Sequence, residues 1–187
     1  WMVPVSLADE LRVALTADPG ITLTCSDPEL DSASGNLAWK AAELFLRQTE
    51  SRGGARIELH KHLPHGAGLG GGSSDAAAVL KALNDQSGRP LDGPGLEKMA
   101  AHLGSDVPFF IRGEPAMARG RGERLETRPL RRPLDLLLIK PPFAVETAWV
   151  YREWSKKVSC PERWTAPQIH DGIEIFNDLE RPVFAKY

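Results

Sequence analysis

Residues 63–84 read LPHGAGLGGGSSDAAAVLKALN, and no other stretch limits so tightly what this chain can fold into. Glycine stands at positions 66, 68, 70, 71 and 72. Clustered glycines cost backbone entropy, and they suit places where the chain needs positive φ or must be approached closely. Ser73, Ser74 and Asp75 come next, residue types that begin helices. Ala76, Ala77, Ala78, Leu80, Lys81 and Leu83 then favour helix strongly. The pattern predicts a glycine loop feeding a helix from Ser74 to about Asn84. Unpaired N–H groups and the positive end of the helix dipole make such a junction an anion site suited to phosphate. Gly70 and Gly71 are expected to leave room for that phosphate.

Two familiar phosphate loops fit poorly. The pattern G-x-x-x-x-G-K-[ST] fails because no lysine precedes Ser73. Gly66, Gly68 and Gly71 formally satisfy G-x-G-x-x-G. That fingerprint, however, wants the helix to start within the motif and an acidic residue on a second strand. Here Gly72 and two serines intervene, and Asp85 falls at the helix end.

Composition narrows the partners. Apolar residues make up 42% and charged residues 26%, as in ordinary globular proteins. A net charge of −2 gives no general attraction to nucleic acid or anionic membrane, so any phosphate site must be local. No apolar run approaches a membrane span, and Leu134 to Ile139 has the length of a strand. No targeting segment is visible, and Cys25 and Cys160 lie far apart. A reduced, cytoplasmic chain is the simplest expectation.

Along the chain, strands are predicted at Val3 to Val5, Leu11 to Leu15 and Ile21 to Thr24. A helix follows over Asn36 to Gln48. Arg56 to Leu63 alternates Ile57, Leu59, Lys61 and Leu63 against Glu58, His60 and His62, which predicts a strand delivering the chain to the glycine loop. Leu96 to Leu103 reads as a helix stopped at Gly104. Strands at Ala116 to Arg119 and Arg124 to Arg128 flank a turn. Pro129 to Pro133 marks a boundary, giving domains over 1–130 and 131–187. Beyond it come a buried strand at Leu134 to Lys140, a helix at Thr147 to Lys157, and partial helix from Pro167 to Tyr187 broken at Gly172 and Pro182. Strands and helices without regular βαβ alternation predict an α+β fold.

Several side chains could carry chemistry. Asp106 follows Gly104 and Ser105 and precedes Val107-Pro108-Phe109-Phe110, a carboxylate beside an apolar wall. An aspartate there is also a common turn or cap residue. Asp75, beside the phosphate site, would either repel a nucleotide or help hold its cation. His60, His62 and His65 fit a solvated strand face better than a zinc site, which needs more ligands. Arg119, Arg121, Arg124, Arg128, Arg131 and Arg132 are interrupted by Glu123 and Glu126, as in a solvated hairpin.

The glycine segment resembles the second motif of the GHMP kinases. Its extra glycines before Ser73-Ser74-Asp75 are similar to the branch acting on 4-diphosphocytidyl-2-C-methyl-D-erythritol. Asn36-Leu37, Leu103 to Phe110, Gly120-Arg121-Gly122-Glu123, Lys140-Pro141-Pro142 with Thr147-Ala148, and Phe176-Asn177-Asp178-Leu179-Glu180 resemble that branch in order and spacing. The resemblance implies the two-domain GHMP fold, with most of the N-terminal domain and the start of the C-terminal one.

It also implies an ATP-dependent small-molecule kinase of non-mevalonate isoprenoid synthesis, with Mg2+ as cofactor and the 2-hydroxyl of that substrate as acceptor. Pro64, His65, Gly66, Ala67, Gly68, Leu69, Gly70, Gly71, Gly72, Ser73 and Ser74 would bind the ATP phosphates, with Ser74 a magnesium contact. Asp106 would be the catalytic base, and Phe176 and Asn177 would line the cytidine pocket. Neither nucleic acid nor membrane is an expected partner. A first-motif lysine has no match here, and Lys61 is not expected to replace it. The chain therefore reads as part of a longer kinase, inactive by itself. Another GHMP kinase and a nucleotide-binding module without turnover are the alternatives.

Overall fold

The computed structural model describes residues 1–30, 32–141, 143, 145–156, 166–170 and 172–187. The chain forms two compact units, Trp1–His65 with Leu69–Leu130 and Gly66–Gly68 with Arg131–Tyr187.

The first unit is built on a three-stranded sheet of β1 (Glu10–Thr16), β2 (Gly20–Cys25) and β3 (Gly54–His60), with β3 in the centre. β1 runs antiparallel to β3 and sets Val13 opposite Ile57. β2 runs parallel to it and sets Leu23 opposite Ile57. A parallel pair needs a crossover, which α1 (Leu37–Gln48) supplies. Asn36 caps α1 by accepting the Ala38 N–H at 2.9 Å. Ala55, Ile57 and Leu59 of β3 are buried, while Arg56 and His60 are exposed, as the alternation predicts.

α2 (Gly71–Gln86) packs against α1. Ala38, Ala41 and Ala42 on α1 and Ala76 and Ala77 on α2 are all buried, and such small side chains let two helices approach closely. Phe45, Ile57, Val79, Leu80 and Leu83 fill the core. α3 (Gly93–Ala101) and α4 (Val107–Arg112) close one end, and β4 (Ala116–Arg119) pairs with β5 (Arg124–Thr127) as a hairpin.

Two expectations in this unit need correction. Val3 to Val5 form no strand: Met2 alone bridges to Ala116, and Pro4 has no N–H to extend a ladder. α2 begins at Gly71 rather than Ser74 and runs to Gln86. Its first-turn N–H groups have no intrahelical partner in any case, so two glycines can occupy that turn without losing bonds.

The second unit contains α5 (Thr147–Ser155), a hairpin of β6 (Gln168–His170) and β7 (Ile173–Ile175), and α6 (Glu180–Lys186). Phe143 stacks on Tyr187 with centroids 4.3 Å apart, and Lys186 lies over the Trp149 ring. The buried strand expected at Leu134 to Lys140 is not formed. Leu137 is 85% exposed and Ile139 81%, and no described strand pairs with the segment. Gly172, at φ 75, lies between β6 and β7, and Pro182 sits in the first turn of α6, where proline is tolerated. Gln168–His170 and Ile173–Ile175 are thus strands, not broken helix. Pro142, Lys157 and Cys160 lie outside the described residues. No described helix is long and apolar enough to cross a membrane.

Candidate functional site

β3 ends at His60, and residues 61–70 carry the chain to α2. Gly66, Gly68 and Gly70 adopt φ of 65°, 72° and 68°, the left-handed region that side chains resist. Pro64 and His65 are exposed, and Ala67 and Leu69 are half-buried. Gly70 takes the N-cap position with no side-chain cap bond. The first backbone bond of α2 runs from Ser74 N to Gly70 O at 2.9 Å. The amides of Gly71, Gly72 and Ser73 precede it and have no place in the helical ladder. They form the kind of positive helix terminus that binds phosphate. Neither serine is the N-cap. The Ser74 hydroxyl instead donates to Gly71 O at 2.8 Å, which leaves its oxygen lone pairs available.

The surroundings of the glycines at 70 and 71 differ. A β-carbon at Gly70 would lie 2.9 Å from Cε2 and Cζ of Phe110. One at Gly71 would lie 3.4 Å from Lys61 Nζ and Leu63 Cδ1. The Phe110 ring closes the position at Gly70, while a β-carbon at Gly71 would sit in ordinary contact with its neighbours. Gly68 has nothing within 4 Å of its added β-carbon.

Lys61 follows β3 and continues its inward alternation, so its ammonium is carried under the start of α2. There it pairs with Asp9 and, at 2.9 Å, with Asp75 Oδ2. The three side chains are 8%, 1% and 4% exposed. Asp9 Oδ1 also accepts the N–H groups of His62 at 2.6 Å and Leu63 at 2.8 Å. Burial works against the Asp9 carboxylate, but Lys61 and the two backbone donors outweigh it and hold its pKa below the ordinary value. Burial likewise opposes the Lys61 ammonium, and its two carboxylate partners win, raising its pKa. Asp75 is different. Burial pushes its pKa up to about 6, because Lys61 only partly compensates and Asp9 adds like charge. Its Oδ1 is buried without a hydrogen-bond partner. The Asp75 carboxylate thus faces inward to Lys61.

Asp106 stands at the N-cap of α4, half-buried, and its side chain makes no capping bond. A capping role therefore does not explain it. The β4–β5 turn backs onto it: a β-carbon at Gly122 would lie 3.0 Å from Asp106 Oδ1. Phe110, one turn along α4, is the residue whose ring covers Gly70. The segment bearing Asp106 and the start of α2 are in this way joined through one ring.

Phe176 and Asn177 belong to the second unit. Phe176 is 44% exposed, and Asn177 Oδ1 accepts the Leu179 N–H at 3.0 Å. His60 ends β3, and His62 lies 3.7 Å from Glu10. Arg119, Arg121, Arg124, Arg128, Arg131 and Arg132 are all exposed. Cys25 is a free thiol.

Asp9 carried no sequence signal beyond being an acidic residue in an exposed-looking segment. Lys61 did: an inward position in an alternating strand requires a buried partner for its charge.

Comparison with known proteins bears on this arrangement. The model described as "GHMP kinases N terminal domain" matches residues 36–114, which hold α1, β3, the glycine loop, α2 and Asp106. A 4-diphosphocytidyl-2-C-methyl-D-erythritol kinase of Geobacter sulfurreducens is 40% identical over 191 residues, covering 100% of this chain and 68% of that protein. The chain belongs to the GHMP kinases. A protein of the same name from Geobacter sp. strain M21 is 44% identical over 184 residues, covering 96% of this GHMP kinase chain and 65% of the relative. A crystal structure of 4-(cytidine 5'-diphospho)-2C-methyl-D-erythritol kinase superposes with a TM-score of 0.67 at 35% identity, covering 97% of this chain and 66% of that one. The chain thus spans about two thirds of the length of its relatives. The α+β class expected from the sequence is that of the GHMP fold.

Proposed function

We propose that this GHMP kinase transfers the γ-phosphate of ATP to the 2-hydroxyl of 4-diphosphocytidyl-2-C-methyl-D-erythritol in the cytoplasm. The observation that carries the reading is the glycine-capped start of α2, tied through Phe110 to the segment bearing Asp106. The names of the relatives support the choice of acceptor.

In this reading the Gly71, Gly72 and Ser73 amides hold phosphate oxygens against the positive end of α2. The Asp106 carboxylate takes the proton of the acceptor hydroxyl. That oxygen attacks the γ-phosphorus, the bond from phosphorus to the bridging oxygen breaks, and ADP leaves. Positioning and charge stabilisation provide most of the rate, since little covalent work falls to the protein. Mg2+ fits the donor set: the Ser74 hydroxyl has its proton engaged on Gly71 O and its oxygen free to ligate. Magnesium bound with nucleotide needs only one or two protein oxygens beside phosphate and water, and there it would neutralise phosphate charge. Phe176 would stack on the cytosine ring and Asn177 would present its remaining amide hydrogens to it.

A phosphoryl-transfer assay with labelled ATP and a panel of alcohols, run on this chain within a protein of its relatives' length, tests the assignment. Transfer to the cytidine-linked methylerythritol, and not to homoserine, mevalonate or galactose, is the expected result. Transfer to one of the others alone would replace the substrate, and nucleotide binding without transfer to any would favour a module that only binds.

A further inference from the structure

The Asp9–Lys61–Asp75 cluster is unused by the chemistry above. None of its members is positioned as the base, and all three are buried. Its placement is specific. Lys61 to Leu63 form one end of the glycine segment, and Gly71 to Asp75 form the other. Lys61 Nζ joins the two ends directly through Asp75 Oδ2 at 2.9 Å. Asp9, arriving from the residue before β1, fixes the first end three times: through the Lys61 ammonium, the His62 N–H and the Leu63 N–H. The Leu63 side chain lies beside Gly71, 3.4 Å from where a β-carbon there would sit. Between these ends lie three glycines at positive φ, a segment with little stiffness of its own.

We propose that Asp9, Lys61 and Asp75 are positioning residues that clamp the two ends of the phosphate loop together and so hold the first-turn amides of α2 ready for the nucleotide. The inference rests on the reading that this loop receives ATP phosphates. The physical argument is one of populations. With the ends pinned, loop-closure entropy is met during folding and not during binding. With the pin removed, the binding-competent loop is only a fraction of the ensemble, and the apparent dissociation constant rises by the inverse of that fraction. Asp75 Oδ2 is held by Lys61, and its Oδ1 has no hydrogen-bond partner. Removing Asp75 leaves the Asp9–Lys61 pair intact, so the fold keeps its internal charge compensation.

Calorimetric titration of MgATP into the 187-residue chain tests the clamp. Wild type, Asp75→Ala and Asp75→Asn are compared, with thermal melts giving the folded fraction of each. Asp75→Ala is expected to weaken binding per folded molecule about tenfold, as for a competent fraction near one tenth. Asp75→Asn, which keeps an acceptor for Lys61, is expected to recover most of the loss and to bind within about threefold of wild type. A residue of merely structural importance would lower the melting temperature and leave the affinity of the folded molecules unchanged. A folded Asp75→Ala with wild-type affinity overturns the clamp. If Asp75→Ala does not fold, Lys61→Arg carries the decision: its fork cannot reproduce the compact ammonium, and wild-type affinity there overturns the proposal equally. Failure of the wild type to bind ATP at all would instead sink the phosphate-loop reading itself.

Discussion

The ring of Phe110 occupies the space that a side chain at Gly70 would need, with two ring carbons 2.9 Å from the added β-carbon. Gly70 is also at φ 68. Gly70→Ala should therefore cost stability twice, through left-handed strain and through displacement of the ring. A loss of about 1–3 kcal/mol is expected. Gly68→Ala meets only the strain, since nothing lies within 4 Å of it, and should cost less. Urea unfolding of both variants checks the order. Equal losses would show that Phe110 yields without penalty.

In a protein of the relatives' length that carries this chain, Asp106→Asn should leave MgATP affinity nearly unchanged and reduce turnover by about two or more orders of magnitude, as when a general base is lost. Steady-state rates paired with nucleotide titration separate the two. Turnover at the wild-type rate would remove Asp106 from the mechanism.

The buried Asp75 makes a pH prediction. Its pKa rises from 3.8 unfolded to about 6 folded, so the folded state binds more protons between those values. Its contribution to stability is fully present below about pH 3.8 and is lost as pH rises through about 6. Asp9, with a lowered pKa, has the opposite sense, and its contribution is lost only at acid pH below the ordinary carboxylate value. From pH 7 to pH 5 the wild type should therefore gain stability relative to Asp75→Asn, which cannot titrate there. Denaturant midpoints for the two proteins across that range measure the difference, and parallel curves would contradict it.

At the other end of α4, Arg112 grips Glu97 with two bonds of 3.1 and 2.7 Å and donates a third to Leu125 O at 2.9 Å. This ties the helix bearing Phe110 to α3 and β5. Lysine cannot make that fork, so Arg112→Lys should destabilise by about 1–2 kcal/mol. Urea unfolding checks it, and an unchanged midpoint would mean the fork adds nothing.

Local signals made much of this legible. The helix opening at Asn36, the alternation of Ile57, Leu59, Lys61 and Leu63, and the β4–β5 turn each follow from a period or a residue type. α4 escaped because its six residues are almost uniformly apolar, with Pro108 in the first turn, so no helical period shows. The sequence pattern places the start of α2 three residues late because serine is the better cap by propensity, whereas Gly70 wins by conformation. Leu134 to Ile139 looks like a core strand by composition alone, yet a strand exists only where another pairs with it. The cluster around Lys61 joins residues 52 and 14 positions apart in sequence, a long-range contact that no local pattern encodes.

The phosphate-binding role of the α2 start is the claim on which the rest depends. Backbone amide resonances of Gly71, Gly72 and Ser73, followed by nitrogen–proton correlation spectra during MgATP titration, test it most directly. The expected result is that these three amides shift with a common saturation curve and become protected from hydrogen exchange. Saturating nucleotide that leaves all three unmoved, while other residues shift, would contradict the account.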